Sequence, residues 1–403
     1  MIKKPVRTII GAIAAAAARW MERTSAQREA AIAAVSARTG YASSMVEYAF
    51  DRLFGTFDRH GLEAIVTDEL GSLDVLDRFV DRVGRPRARA LPVGRVCIIS
   101  SRTTVGVAIV PAVFALCAKC EVLVKDREDH LAAEFFTTVA DELEAPRNAI
   151  AVETWTGESE TTDLGSFDAV VAFGSDATMA RIARQLPTTT RFIPYGSKAS
   201  GGYVSRDALQ DSVGARDLAR RVAFDLLLYE TEGCLSLHAL FVERGGAVSP
   251  AEFGTMLTDA ISSAAVELPV GSADVRRQAR VAMARDLATF AAHDTASIHS
   301  HPAASHLVVV DPSWDEAPQF LPRTIAIRSI DDPAQATAYF ERHGVPIEAL
   351  AIAGSTAGIA AAAQAMKAAR ITNLGLLQAP PLGGFHGGRP RIAEFVRWIA
   401  DET

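Results

Sequence analysis

Val93-Gly94-Arg95-Val96-Cys97-Ile98-Ile99-Ser100 is the stretch on which the fold turns: an unbroken apolar run closing on a small polar residue reads as a strand buried on both faces. Just upstream, Arg85-Pro86-Arg87-Ala88-Arg89-Ala90-Leu91-Pro92 breaks a helical pattern. Downstream the spacing predicts a helix from about 107 to 119, a strand at Glu121-Val122-Leu123-Val124, a helix from about 131 to 143, and strands near 149–152 and 168–173. Strands alternating with helices of about ten to fifteen residues imply an α/β chain with a parallel, doubly wound sheet.

Up to about residue 85 the pattern is helical, with Met45, Tyr48, Phe50, Leu53 and Phe54, and again Leu73, Leu76, Phe79 and Val80, at three-to-four spacing. The amino terminus mimics a signal peptide, because Lys3, Lys4 and Arg7 precede Ile9-Ile10-Gly11-Ala12-Ile13 and a run of alanines. That apolar run stops at Arg19, too short to span a bilayer, and a surface helix is the reading adopted. After Ser205 a helix over about 209–228 leads through Tyr229-Glu230-Thr231-Glu232-Gly233-Cys234 to a strand at 237–242. The expected organisation is therefore a helical opening segment (1–85) with a cofactor-binding domain to residue 210, followed by a catalytic domain over 211–403.

The 403 residues suffice for two or three domains of roughly 150 residues each. Forty-one basic against 48 acidic side chains leave a formal charge of −7, so no overall positive field draws the chain to nucleic acid or anionic lipid. Four cysteines are too few for a disulfide scaffold and suit a reducing compartment, which makes the cytosol the expected location.

Among candidate reactive groups, Cys234 is the most suggestive, since a cysteine after a glycine between a helix and a buried strand can present its sulfur in a cleft. A free cysteine is more often a small buried hydrophobe, and Glu230 or Glu232, if aimed at it, would raise the thiol pKa. Cys117 and Cys120 have the spacing of half a zinc site, but no second pair exists and packing explains them. His299, His301 and His306 read as surface or loop residues. Gly106, Gly174-Ser175, Gly196 and Gly201-Gly202 place small residues at successive strand ends, where phosphates can approach the backbone, though no G-x-G-x-x-G follows a strand.

In their order, Ile98-Ile99-Ser100, Val124-Lys125-Asp126, Phe173-Gly174-Ser175, Pro194-Tyr195-Gly196-Ser197-Lys198 and Glu232-Gly233-Cys234 resemble the aldehyde dehydrogenase superfamily. Gly40-Tyr41, the Thr231–Cys234 turn, and the ending Leu377-Gln378-Ala379-Pro380-Pro381 with His386-Gly387-Gly388 and Phe395-Val396-Arg397-Trp398 narrow this to a resemblance to the acyl-CoA reductase family, which includes the fatty-acid reductase component of bacterial bioluminescence. The resemblance implies an aldehyde dehydrogenase-like fold and reduction of a fatty acyl thioester, on CoA or an acyl-carrier protein, to an aldehyde through an acylated Cys234. It implies NADPH as cofactor, with NADH the alternative.

By the same resemblance Lys125 reaches the adenosine ribose, Gly174 and Ser175 border the pyrophosphate, Ser100 and Ser101 line its path, and Tyr195 and Gly196 form the next turn. Glu128 matches a position that hydrogen-bonds ribose hydroxyls and favours NAD, whereas Arg127 can serve a 2′-phosphate. Thr103 stands where the oxyanion-stabilising asparagine is expected, and His386 is a candidate proton donor or a structural loop histidine. The water-activating glutamate falls at Pro194, and the glutamate for the nicotinamide ribose falls near Pro318, with Glu316 a substitute. Losing the water-activating base disfavours acid production. The other readings are an NAD-dependent aldehyde dehydrogenase using Glu230 or Glu232 as base, and a degenerate member acting as a scaffold. A homodimer, or a complex with an acyl-transferring enzyme, is expected by analogy only.

Overall fold

The computed structural model describes residues 2–101, 104–126, 130–144, 150–154, 163–272, 275–291, 297–300, 305–312, 317–318, 320–354 and 357–403. The chain forms two compact units: residues 1–39, 46–197 and 381–403 make the first, and residues 40–45 and 198–380 the second.

The first unit begins with helices α1 (Val6–Met21), α2 (Ala26–Thr39), α3 (Ser43–Phe54, from Val46 onward) and α4 (Arg59–Leu70). The apolar run in α1 puts Ile9, Ile13, Ala16 and Trp20 on one face, all buried. Trp20 packs on Phe50, Phe54 and Phe135, and its indole N–H donates to the Thr138 hydroxyl at 3.2 Å. The sequence stretch that resembles a signal h-region thus supplies an aromatic-capped core face. Each such buried aromatic or aliphatic side chain contributes about 1.5–3 kcal/mol.

Two strands follow, β1 (Val80–Arg82) and β2 (Arg85–Pro92). The second is the run expected only as a breaker. Its arginines alternate with Ala88 and Ala90, which are buried while Arg85 and Arg87 stay exposed, a two-residue period that the prolines at its ends do not disrupt. Next come β3 (Arg95–Ile99), α5 (Ile109–Cys117), β4 (Glu121–Asp126), α6 (Leu131–Leu143), β5 (Ile150–Thr154), β6 (Ala169–Phe173), α7 (Asp176–Ala183) and β7 (Arg191–Tyr195). The five strands form a wholly parallel sheet in the order β5-β4-β3-β6-β7. The chain winds outward from β3 to β5, then returns past β3 to β6, which creates a switch point at the carboxyl ends of β3 and β6.

The second unit contains β8 (Ala199–Val204), α8 (Ser212–Leu227), β9 (Leu237–Glu243), α9 (Pro250–Ala264), α10 (Val275–Ala291), β10 (Ser297–Ser300), β11 (Leu307–Val310), β12 (Thr324–Ile330), α11 (Pro333–His343), β13 (Ile347–Ala353), α12 (Ala357–Ala365) and β14 (Arg370–Asn373). Its sheet runs β10-β11-β12-β9-β8-β13-β14, parallel except for the β10 edge. Gly201 and Gly202 lie inside β8 and not at a strand end as the sequence suggested. A Cβ at Gly201 would stand 2.9 Å from Phe340 and one at Gly202 2.8 Å from Leu240, so the glycines make room for large side chains on both faces.

The last strand, β15 (Val396–Asp401), pairs antiparallel with β2, Trp398 opposite Ala90. This pairing puts residues 381–403 in the first unit, so the units are not two consecutive blocks divided at residue 210. No helix among the described residues is long and apolar enough to cross a membrane.

Candidate active site

In the first unit the carboxyl ends of β3, β4, β6 and β7 share one edge of the sheet. Ser100, just beyond β3, is buried; its N–H donates to the Lys125 carbonyl at 3.0 Å and its hydroxyl to the Ser101 carbonyl at 3.3 Å. Lys125 is buried at the end of β4, and that burial pulls its ammonium pKa down against the opposing pull of Cys97 and Glu153. After β6, the Gly174 N–H donates to the Tyr195 carbonyl at 3.2 Å, and the Ser175 hydroxyl caps α7 by accepting the Thr178 N–H at 3.2 Å. Gly196 passes so close to Asp176 that a Cβ would collide with its carboxylate, which accepts the Ser197 N–H at 2.8 Å.

Tyr195 stacks on Phe173 at 4.8 Å and on His386 at 4.1 Å, both nearly coplanar. The expected residues Ser100, Ser101, Lys125, Gly174, Ser175, Tyr195 and Gly196 therefore come to one sheet edge, with His386 against its outer end. This edge fits a dinucleotide: it is a switch point bordered by a lysine, small residues and a glycine that a side chain would block. Thr103, Arg127 and Glu128 lie outside the described residues, as do His301 and Glu316.

In the second unit Cys234 sits in a tight turn before β9, closed by the Ser236 N–H donating to the Gly233 carbonyl at 2.9 Å. Cys97, Cys117 and Cys120 are buried, whereas Cys234 is partly exposed. Although the residue meets solvent, the protein packed around its sulfur pushes the thiol up to about 12; Glu348 adds to the rise, while Lys198 and the backbone N–H groups of Cys234 and Leu235 oppose it.

The charges facing the thiol are thus not the two neighbours read from the sequence. Glu230 is buried in a bidentate pair with Arg323, both contacts at 2.8 Å, and the Tyr41 hydroxyl reaches Glu232 at 3.5 Å. Instead Lys198 and Glu348 pair at 2.8 Å. They sit at the amino ends of β8 and β13, which adjoin β9 in the order β9-β8-β13, so three adjacent strands deliver Cys234, Lys198 and Glu348 to one edge.

Ser200 clamps the same edge. Its hydroxyl donates to the Cys234 carbonyl at 2.7 Å and its N–H donates to Nδ1 of His238 at 3.1 Å. Burial pushes His238 down to about 3, so the ring is neutral and carries its proton on Nε2, which lacks a hydrogen-bond partner among the described residues. His306 is buried ahead of β11 and His299 lies on β10, so neither is a free surface histidine. Among the described residues no group of three His, Cys, Asp or Glu could hold a metal ion.

Lys198, Glu348, Ser200 and His238 escaped the sequence reading as site residues. Only Lys198 lay in a matched motif, and nothing local in the sequence links Glu348 to a cysteine more than a hundred positions away.

The sequence profile of the LuxC acyl-CoA reductase family matches residues 1–398. No curated protein matches the chain. Among solved structures, an oxidoreductase from Marinobacter aquaeolei is similar at 14% identity with a TM-score of 0.75, over 99% of this chain and 85% of that one. The glyceraldehyde-3-phosphate dehydrogenase GapN from Methanocaldococcus jannaschii, solved with NADP, aligns at 14% identity and a TM-score of 0.73, over 98% and 89%. Aldehyde dehydrogenase 21 from Physcomitrella patens, solved with succinate, aligns at 12% identity and 0.72, over 98% and 85%. These likenesses establish an aldehyde dehydrogenase-like fold.

Proposed function

Since the chain belongs to the LuxC acyl-CoA reductase family, NAD(P)-dependent oxidoreductases acting on acyl and aldehyde groups, we propose that it reduces a fatty acyl thioester to the aldehyde through an acyl group carried on Cys234. The acyl donor is acyl-CoA or an acylated carrier protein, and the cofactor is NADPH. One observation supports this most: among the described cysteines Cys234 is the partly exposed one, held in a tight turn just ahead of β9.

The thiolate of Cys234 attacks the thioester carbonyl, a C–S bond forms, and the departing thiolate takes up a proton. NADPH, when bound, would supply the hydride for reduction of the acyl carbon; the acyl C–S bond would then break, releasing aldehyde and leaving the Cys234 thiolate. The Cys234 N–H is the proposed oxyanion donor, and the family resemblance assigns the Thr103 hydroxyl the same role. Lys125, Gly174, Ser175, Tyr195 and Gly196 would hold the dinucleotide, with Ser100 and Ser101 along its path. By the family resemblance Arg127 would read the 2′-phosphate in place of the ribose contact of Glu128, and His386 is the proposed proton donor.

Glu230 spends both carboxylate oxygens on Arg323, which removes it as the water-activating base that an aldehyde-oxidising reading needs. A thiol-bearing enzyme of this kind works in a reducing compartment such as the cytosol. The test is turnover with a panel of acyl-CoAs. NADPH oxidation should match aldehyde release one for one and vanish in Cys234→Ser. Carboxylic acid as the product, or undiminished turnover in that variant, overturns the proposal.

A further inference from the structure

A second side chain reaches the Cys234 turn from the far end of the unit's sequence. The Gln378 amide donates to the Ser236 hydroxyl oxygen at 2.9 Å, and that oxygen also accepts the Gly233 N–H at 3.2 Å. Ser236 is fully buried and Gln378 nearly so. The Gln378 segment is itself anchored: Asp225, fully buried on α8, accepts the Gly375 N–H at 2.6 Å and the Leu377 N–H at 3.0 Å. The Arg370 guanidinium donates to the Leu377 carbonyl at 2.9 Å.

A rigid strut thus runs from α8 through residues 375–378 to Ser236 and Gly233. On the other flank Ser200 holds the Cys234 carbonyl at 2.7 Å. The turn is pinned on both sides of the cysteine. What that pinning preserves is the geometry of the turn that carries Cys234, including the Cys234 and Leu235 N–H groups, which oppose part of the rise in the thiol pKa. An unpinned turn can let those dipoles swing away, and preorganised donors lose value quickly with misalignment.

We propose that Gln378 is a positioning residue for the Cys234 nucleophile, acting through the Ser236 hydroxyl to hold the turn. The idea rests on Cys234 as the acyl acceptor, and its test is chosen to stand apart from that reading. Gln378→Met keeps the side-chain length and removes the donor; Ser236→Ala removes the single oxygen through which it acts.

The first readout is the rate of carbamidomethylation of Cys234 by iodoacetamide at fixed pH, which needs no acyl chemistry. Each single variant should slow it about tenfold, and the double variant should be no slower than Ser236→Ala alone, because both act through one contact. The second readout is turnover: kcat should fall by a similar factor while the KM for NADPH holds. Multiplying effects in the double variant, or wild-type alkylation in Gln378→Met, overturns the inference. An acyl adduct on some other residue, with the alkylation pattern intact, overturns the catalytic reading and leaves the strut standing.

Discussion

A thiol pushed up to about 12 is almost entirely protonated at working pH, and this gives the resting enzyme a measurable signature. With that value the thiolate is about one part in 10,000 at pH 8 and one part in 1,000 at pH 9, since the fraction changes tenfold with each step of one in pH. Alkylation of Cys234 by iodoacetamide should therefore climb about tenfold for every such step from pH 7 to 10 with no plateau. Peptide mapping assigns the product to Cys234 and separates it from the buried Cys97, Cys117 and Cys120. The charged neighbours give the effect a sign. Glu348→Gln removes the carboxylate that raises the thiol pKa and leaves Lys198 to favour the anion, so alkylation at pH 8 should rise by about tenfold. Lys198→Gln should slow it, and it should also lower the melting temperature because the nearly buried Glu348 carboxylate loses its Lys198 contact. A plateau below pH 9 in the wild type, or a slower Glu348→Gln, would refute the reasoning.

Two further outcomes follow from packing and protonation. Gly202→Ala should cost about 1–3 kcal/mol by urea unfolding, because its methyl would press on Leu237 and Leu240 inside the sheet, each under 3 Å away; an effect below about 0.5 kcal/mol would mean that the sheet gives way easily. For His238 the folded pKa of about 3 lies below the ordinary 6.5, so the unfolded chain takes up a proton that the fold refuses. Stability is then intact above about 6.5 and drains away as the pH falls toward about 3, by a few kcal/mol at most. His238→Gln should flatten that acid limb in urea titrations from pH 7 to 4, and an unchanged slope would place the ring in water.

The positions of the proposed nucleotide edge were legible in the sequence because its residues follow strands that announce themselves as short apolar runs. Val96–Ile99 and Ala169–Phe173 each end within two residues of a position named for the cofactor, so locating the strand located the residue. Cys234 was found the same way, as the residue ahead of an apolar strand. Its surroundings were not legible. Ser236 and Gln378 stand 142 positions apart, and Lys198 and Glu348 150, and only the pairing of non-consecutive strands and a returning loop brings them together. Nor does composition reveal that Gly201 and Gly202 sit mid-strand. Glycine marks a turn where φ must be positive and a close approach where a neighbour is large, and only Phe340 and Leu240 decide which holds here. The arginine-rich β2 was concealed for a related reason: its strand character rests on Ala88 and Ala90 facing inward, a weak apolar signal that its charged neighbours outweigh.

Incubation with a radiolabelled long-chain acyl-CoA in the absence of NADPH, followed by digestion and peptide mapping, addresses the catalytic claim at its source. The predicted result is one acyl group per chain, bound as a thioester on the peptide containing Cys234 and released as aldehyde when NADPH is added. Label on another residue, or aldehyde formation with no labelled enzyme at any time, would contradict it.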